Sequence, residues 1–372
     1  GEFYLLDVTP VTSRLANPSS SREGFGMALL RNVLSVPSEI AVFGGMGGTA
    51  LSTLDSYHIG KKNWNIMSLK PDKDFALVSM CIYGHTLDVI PGSKKLLLFG
   101  GYTFTDSQVK NISSELYEID AATGTLSRKL VKPDSRKPLP RSEHVSSIVH
   151  DCLVISGGRG EHGELRNDIW YINLKPEGDI WSILRVECAS EYSEFEFLDY
   201  YHHTATTVPK SCIPASKYVN DILMFGGIDS ESNLGGKVIR VRVDKSRKLA
   251  ECSYLLTQGR SPAPRHSHAA TFLALTGSLV IHGGRGPEDS FLEDLFILLL
   301  STLQWMQVRT PKNSQPRAMH KMVCAKTHLF VFGGYNEEGF MSTQMNQWEI
   351  KMKISENGQV QKPQMRFKSL ER

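Results

Sequence analysis

The sequence predicts an all-β chain made of six copies of one four-stranded unit. Three observations predict it. The first is a recurring apolar run closed by two glycines: "IAVFGG" (40–45), "LLLFGG" (96–101), "LVISGG" (153–158), "LMFGG" (223–227), "LVIHGG" (279–284) and "LFVFGG" (329–334). The second glycines are spaced by 56, 57, 69, 57 and 50 residues, a period that marks a repeat architecture. The second observation is a strand–turn–strand pattern after each pair, and the third is a further short strand, usually headed by histidine, before it.

Each element has a local reason. A run of four to six aliphatic residues reads as a strand buried on both faces. The glycine pair ends it, because glycine enters positive φ and lets another backbone come close. The hairpins that follow carry Tyr57 and Trp64, Tyr117 and Leu126, Tyr171 and Trp181, Phe296 and Trp305, and Trp348. Repeat 4 departs most, with Val238 and Val241 near the tyrosine place and no tryptophan. The strands ahead of the glycines carry His85, His144, His203, His268 and His320, and repeat 1 is expected to hold Gly26 in that place. A buried hydrogen bond between neighbouring inner strands is the expected role of these histidines.

This set resembles the kelch repeat: an apolar strand ending in Gly-Gly, a spaced Tyr and Trp, and Pro-Arg-x-x-His ahead of it. The resemblance covers roughly residues 20–355. It implies an all-β, six-bladed kelch-type β-propeller, with four-stranded blades around a channel. The expected layout is one domain over 1–355, with blades centred on Gly45, Gly101, Gly158, Gly227, Gly284 and Gly334, and a basic tail over 356–372. "FYLLDV" (3–8) is expected to complete the last blade and close the ring.

Composition is ordinary for a globular chain, 41% apolar and 22% charged. The longest apolar run, "LFILLL" (295–300), is far shorter than the ~20 residues of a membrane span and reads as the third strand of blade 5. No membrane association is therefore expected. The six cysteines are scattered without a CxxC pair, which suits free thiols in an intracellular, cytoplasmic or nuclear protein. The net charge of +3 demands no nucleic acid, but 128–141 and 351–372 are basic and 187–199 is acidic. Long charged insertions on a rigid scaffold are places where partners dock.

No catalytic constellation is visible. There is no Gly-x-Ser-x-Gly, His-Glu-x-x-His or phosphate-cradling glycine loop, and the adjacent His202 and His203 would point to opposite faces of a strand. No catalytic, metal or cofactor residue is expected, and a non-catalytic chain is. What remains is the channel mouth. The residues after the glycine turns and before the inner strands converge there, which nominates Tyr102, Arg141, Arg159, Arg265, Arg285, Arg317 and Tyr335 for a protein partner. Arginine and tyrosine are enriched among interface hot spots, and convergent arginines suit carboxylates or acidic peptides. Arg141, Arg265 and Arg317 could equally pin loops between blades.

The resemblance implies a protein-interaction scaffold or adaptor. Ubiquitin-ligase adaptors of this kind carry a BTB, BACK or F-box segment. The roughly 20 residues before blade 1 do not fit one, so such a role would need another chain or a trimmed portion. Residues 57–74 and 238–255 are also similar to the propeller subunit of the recombination-activating recombinase. That alternative implies a nuclease-subunit partner in the nucleus and DNA contact through Lys351, Lys353, Lys362, Arg366 and Lys368. A third alternative is the propeller of a tRNA-modifying methyltransferase.

Overall fold

A computed structural model describes residues 3–7, 21–31, 37–47, 49–72, 81–104, 110–129, 131–132, 136–174, 180–188, 198–210, 217–310, 314–341, 345–351, 353–354 and 360–361. The fold is a six-bladed β-propeller. Blade 3 is typical: Val145–Val149, Cys152–Ser156, Ile169–Asn173 and Trp181–Cys188 run antiparallel from channel to rim. Blade 1 is Gly26–Arg31, Pro37–Phe43, Leu54–His58 and Asn63–Met67. Blade 2 is Thr86–Val89, Lys95–Phe99, Leu116–Asp120 and Thr125–Arg128. Blade 4 is Thr204–Thr207, Ile222–Phe225, Val238–Asp244 and Leu249–Tyr254, complete despite its divergent sequence. Blade 5 is Ala269–Leu273, Ser278–Arg285, Phe291–Leu299 and Gln304–Arg309.

Blade 6 takes three strands from the C-terminal end, Lys321–Ala325, His328–Phe332 and Asn346–Lys351. Its fourth is Phe3–Asp7, paired antiparallel from Tyr4↔Lys351 to Asp7↔Trp348. The N-terminal strand closes the ring, as the sequence predicts. It also runs parallel to the rim strand of blade 5. Deleting residues 1–10 should therefore lower the melting temperature by several degrees; an unchanged melt would show that this ladder contributes nothing. At the other end, Lys353–Ile354 pairs with Val360–Gln361, a hairpin that crosses the expected boundary at 355.

The core is divided among the seams. Six apolar clusters are each shared by two adjacent blades, such as Ile155 and Trp181 of blade 3 with Leu97 and Phe99 of blade 2. The longest apolar run sits where expected, with Leu295, Ile297 and Leu299 facing blade 6 and Phe296 and Leu298 facing blade 4. This explains strands that are apolar on both faces without a membrane. The cysteines among the described residues are free thiols. No helix among the described residues is long and apolar enough to cross a membrane.

The glycine pairs are the joints of the ring. The second glycine of each blade donates its N–H to a carbonyl of the next: Gly45 to Ile82, Gly101 to Arg141, Gly158 to Tyr200, Gly227 to Arg265, Gly284 to Arg317 and, closing the circle, Gly334 to Arg22, all within 2.7–2.9 Å. The first glycine leaves room for a ring of the next blade. A Cβ on Gly157 would lie 2.7 Å from His203, and one on Gly100 2.7 Å from His144. In blade 1 the ring is Phe25, seated against Gly333. The histidine's place is thus held by Phe25 and not by Gly26, one residue later.

The histidine tie is only partly realised. His144 shares a hydrogen bond with Thr86 (3.1 Å) and His268 with Thr204 (2.8 Å), in each case the residue after the preceding blade's histidine. That position is Val145 before His203, Ala269 before His320 and Gly26 before His85, none of which has a side-chain oxygen. His320 turns instead to His282 (2.9 Å).

Candidate functional site: the channel mouth

The pre-strand loops and glycine turns meet at one end of the channel, and backbone geometry fixes how. The residue before each ring residue is left-handed: Gly24, Gly84, Glu143, His202, Ser267 and Met319 have φ between 54° and 68°. Their peptides form a head-to-tail chain around the mouth. Gly84 donates to Gly24 (2.7 Å), Glu143 to Gly84 (2.8 Å), His202 to Glu143 (3.2 Å), Ser267 to His202 (2.9 Å) and Met319 to Ser267 (2.8 Å). Four non-glycine residues accept a sparsely populated backbone conformation here, and the shared hydrogen bonds offset that cost. Outside this ring, the residue after each glycine pair bridges to the loop of its own blade: Glu23↔Met46, Tyr83↔Tyr102, Ser142↔Arg159, Tyr201↔Ile228, His266↔Arg285 and Ala318↔Tyr335.

The seven nominated residues divide into two groups. Arg141, Arg265 and Arg317 are buried, at 0%, 0% and 4% exposure. Arg141 donates to the Gly157 carbonyl (3.2 Å) and to both oxygens of Asp168 (2.6 and 3.0 Å). Arg265 repeats this with Gly283 and Asp294, and Arg22 with Gly44 (3.0 Å) and Asp55 (2.6 Å). Their guanidinium donors are occupied inside the blade, which corrects the partner-binding expectation for Arg141 and Arg265: they pin loops. Arg317 has the matching buried position, and burial pulls its pKa down to about 10. Gln344, at the carboxylate's place in blade 6, lies outside the described residues.

Arg159, Arg285 and Tyr335 are partly exposed at the mouth, whereas Tyr102 is buried, at 7% exposure. Arg159 lies over the Tyr201 ring (5.0 Å) and donates to Glu143 (2.9 Å). Glu143 is 8% exposed and also faces His202 Nε2 at 3.5 Å. Arg285 lies 4.4 Å from the Phe291 ring, donates to the Asp289 carbonyl (3.2 Å) and reaches the Tyr335 hydroxyl (3.4 Å). On blade 2 a small extra sheet, Cys81–Tyr83, Tyr102–Phe104 and Lys110–Ile112, carries three parallel rings. Tyr83 stacks on Tyr102 at 4.8 Å and on Phe104 at 5.8 Å. Burial, with Glu143 nearby, pushes the Tyr83 phenol upward, so it remains a neutral donor.

Sequence reasoning missed Tyr83, Phe104, Tyr201 and Phe291. Tyr83 and Tyr201 had a signal: each stands two residues before the histidine, in the position that bridges to the post-glycine residue. Phe104 and Phe291 lie in insertions outside the repeat and had none. Of the nucleic-acid candidates, Lys351 ends the third strand of blade 6 and Lys353 begins the hairpin. Lys362, Arg366 and Lys368 lie outside the described residues. Among the described residues no group of three or more His, Cys, Asp or Glu side chains is placed to hold a metal ion.

The comparisons with known proteins agree with the fold. An F-box/kelch-repeat protein of Arabidopsis thaliana is 31% identical over 209 residues, 53% of this chain and 39% of that one. Acyl-CoA-binding domain-containing protein 4 of the same plant is 26% identical over 242 residues, 62% of this chain and 32% of its own length. Adagio-like protein 3 of Oryza sativa subsp. japonica is 25% identical over 330 residues, 84% of this chain and 47% of that one. The chain thus spans a third to a half of these relatives. The solved structure of YjhT superposes with a TM-score of 0.64 at 13% identity, covering 94% of this chain and 99% of that one, a likeness of fold. The KLHDC2/KLHL20/DRC7 Kelch-repeats domain matches residues 30–191 and 202–366, and the chain belongs to that kelch-repeat family.

Proposed function

We propose that this propeller is a non-catalytic docking module that grips a protein partner at the channel mouth. Kelch-repeat domains generally bind proteins, and an F-box and an acyl-CoA-binding domain stand in the names of relatives longer than this chain. The reading thus places the propeller as the partner-recognition part of a larger protein or assembly. The observation that carries it is the pair of half-exposed arginines, each braced against a ring: Arg159 on Tyr201 and Arg285 on Phe291. Bracing fixes the guanidinium before a partner arrives, which lowers the ordering cost of binding. No observation favours the recombinase or methyltransferase alternatives.

The test uses Arg285→Ala first. Its carboxylate partner Asp289 is 64% exposed and stays solvated without the arginine. Stability should therefore change little, while capture of the native partner from cell extract, identified by mass spectrometry, should weaken about ten- to a hundredfold. Arg159→Ala is a different case. Glu143 is only 4% exposed at its side chain and would lose its cation, so this variant should lose stability as well as capture. Full capture by a folded Arg285→Ala, Tyr335→Ala double variant would exclude this part of the mouth.

A further inference from the structure

Blades 3 and 4 are joined at their rims as well as through their shared core. The outer strand of blade 3 serves both. Its first residues pair within the blade, from Ile172↔Trp181 to Ile169↔Leu184. Its last four pair in parallel with the outer strand of blade 4: Arg185↔Leu249, Val186↔Ala250, Glu187↔Glu251 and Cys188↔Cys252. Two cysteines from different blades therefore stand directly opposite each other in one ladder. Successive residues of a strand face opposite ways, which sorts the four pairs. Val186, Ala250, Cys188 and Cys252 all pack in the apolar cluster of blades 3 and 4. Glu187 and Glu251 are exposed on the other face.

This arrangement meets what a disulfide needs. Neighbouring strands lie about 4.7–4.9 Å apart, inside the roughly 4.4–6.8 Å that a disulfide spans between Cα atoms. Both side chains leave the sheet on the same face. Cys188 is the last residue of its strand, so only one side of its backbone is tied into the ladder and the other can adjust to bring the Cβ atoms together. Both thiols are reduced in this structure, Cys188 half-buried and Cys252 buried. That order of access suits stepwise exchange, in which one sulfur is reached from solution and the other from its neighbour. The outer face shows what a covalent link would add. Two carboxylates directly opposite each other weaken a strand pairing, and here Arg247 spans Glu187 and Glu251 at 3.9 and 3.6 Å.

We propose that Cys188 and Cys252 are a redox modification site, forming a reversible disulfide between blades 3 and 4 by exchange with a small disulfide such as oxidised glutathione. The Cys188 thiolate attacks one sulfur of the small disulfide and releases one glutathione thiol. The Cys252 thiol, losing its proton, then attacks the Cys188 sulfur of the mixed disulfide and releases the second. The protein gives up two electrons and two protons, and the small disulfide takes them. The bond closes a loop of about 64 residues, from 188 to 252, that contains the three inner strands of blade 4. Closing it restricts the unfolded chain and holds the rim seam. It also fixes the point where the acidic stretch 187–199 leaves the rim. The site uses none of the mouth residues and stands or falls independently of the docking role.

The intact chain is incubated with oxidised glutathione at about pH 8, near the ordinary thiol range, and a digest made without reductant is mapped by mass spectrometry. A peptide pair joined through Cys188 and Cys252 is expected, with no glutathione retained on either. The melting temperature should rise by several degrees, and dithiothreitol should reverse the rise. Cys188→Ser should abolish both the joined pair and the rise. Cys252→Ala removes the second thiol, so Cys188 should then keep one glutathione. The map of the unaltered chain needs no variant and decides the matter should either fail to fold. Cys188 that stays reduced, that keeps glutathione beside a reduced Cys252, or that joins another cysteine overturns the proposal. An equal melting rise in Cys188→Ser, or a Cys188–Cys252 bond that leaves melting unchanged, overturns its role at the seam.

Discussion

Gly158→Val should lower the stability of the propeller by about 4 kcal/mol, combining left-handed backbone strain with overpacking. Gly158 has φ +85°, a region that a β-branched residue scarcely enters. A Cβ there would lie 2.6 Å from the Ser142 carbonyl oxygen and 2.6 Å from His144 Cβ. The first neighbour is backbone of the mouth loop and the second is the base of a packed ring. Neither can retreat without moving the inner strand. The same residue donates to Tyr200 of blade 4 at 2.9 Å, so the strain falls on a joint between blades. Gly163 separates the two causes. It has φ +83° but nothing within 4 Å of its built Cβ, so Gly163→Ala should cost only the backbone term, about 1 kcal/mol. Denaturant midpoints of the two variants measure both. A Gly158→Val protein as stable as Gly163→Ala would mean that the seam does not require close approach.

How much of this was legible depends on what each residue must satisfy locally. The glycine pairs, the hairpins and the closing strand were legible because strand periodicity and turn chemistry are local properties. Phe25 was not: an aromatic ring of similar shape fills the histidine's socket against Gly333, and a search for histidine passes over it. The buried arginines misled for a general reason. Arginine is rarely buried, so three of them near a channel mouth read as surface. Yet the carboxylates that neutralise two of them, and Arg22 ahead of blade 1, recur at a fixed distance: Asp55, Asp168 and Asp294 each stand ten residues after the second glycine of their blade. That spacing was available in the sequence and pairs each with Arg22, Arg141 or Arg265. The channel cavity was not legible. Its wall is drawn from the inner strands of all six blades, and only ring closure brings them together.

Asp168→Ala should be as damaging as the glycine change, at about 3–5 kcal/mol, because it leaves a buried charge without its partner. The Arg141 side chain has no exposure to water, and the alanine variant strands its guanidinium between blades 2 and 3. The Trp170 indole loses its acceptor as well, since its N–H donates to Asp168 at 2.7 Å. Burial opposes the Asp168 charge, but the bonds from Arg141, its attraction and the Trp170 indole together hold the carboxyl below its usual value. The sign of the pH dependence follows. A carboxyl depressed in the folded state adds stability above the unfolded value of about 3.9, and that stability is lost as pH falls through the lower folded value. The difference between wild type and Asp168→Ala should therefore be full at pH 7 and shrink only below about pH 4. Replacing both partners by apolar residues, Arg141→Met with Asp168→Leu, should recover most of the loss, because no buried charge is then left unmatched. If the double variant were no more stable than Asp168→Ala, the pair's value would lie in the Gly157 carbonyl bond or in loop shape. Recovery would show that this arginine–aspartate tie, repeated in blades 1, 3 and 5, serves to fix the register of the mouth loops on which the docking face is built.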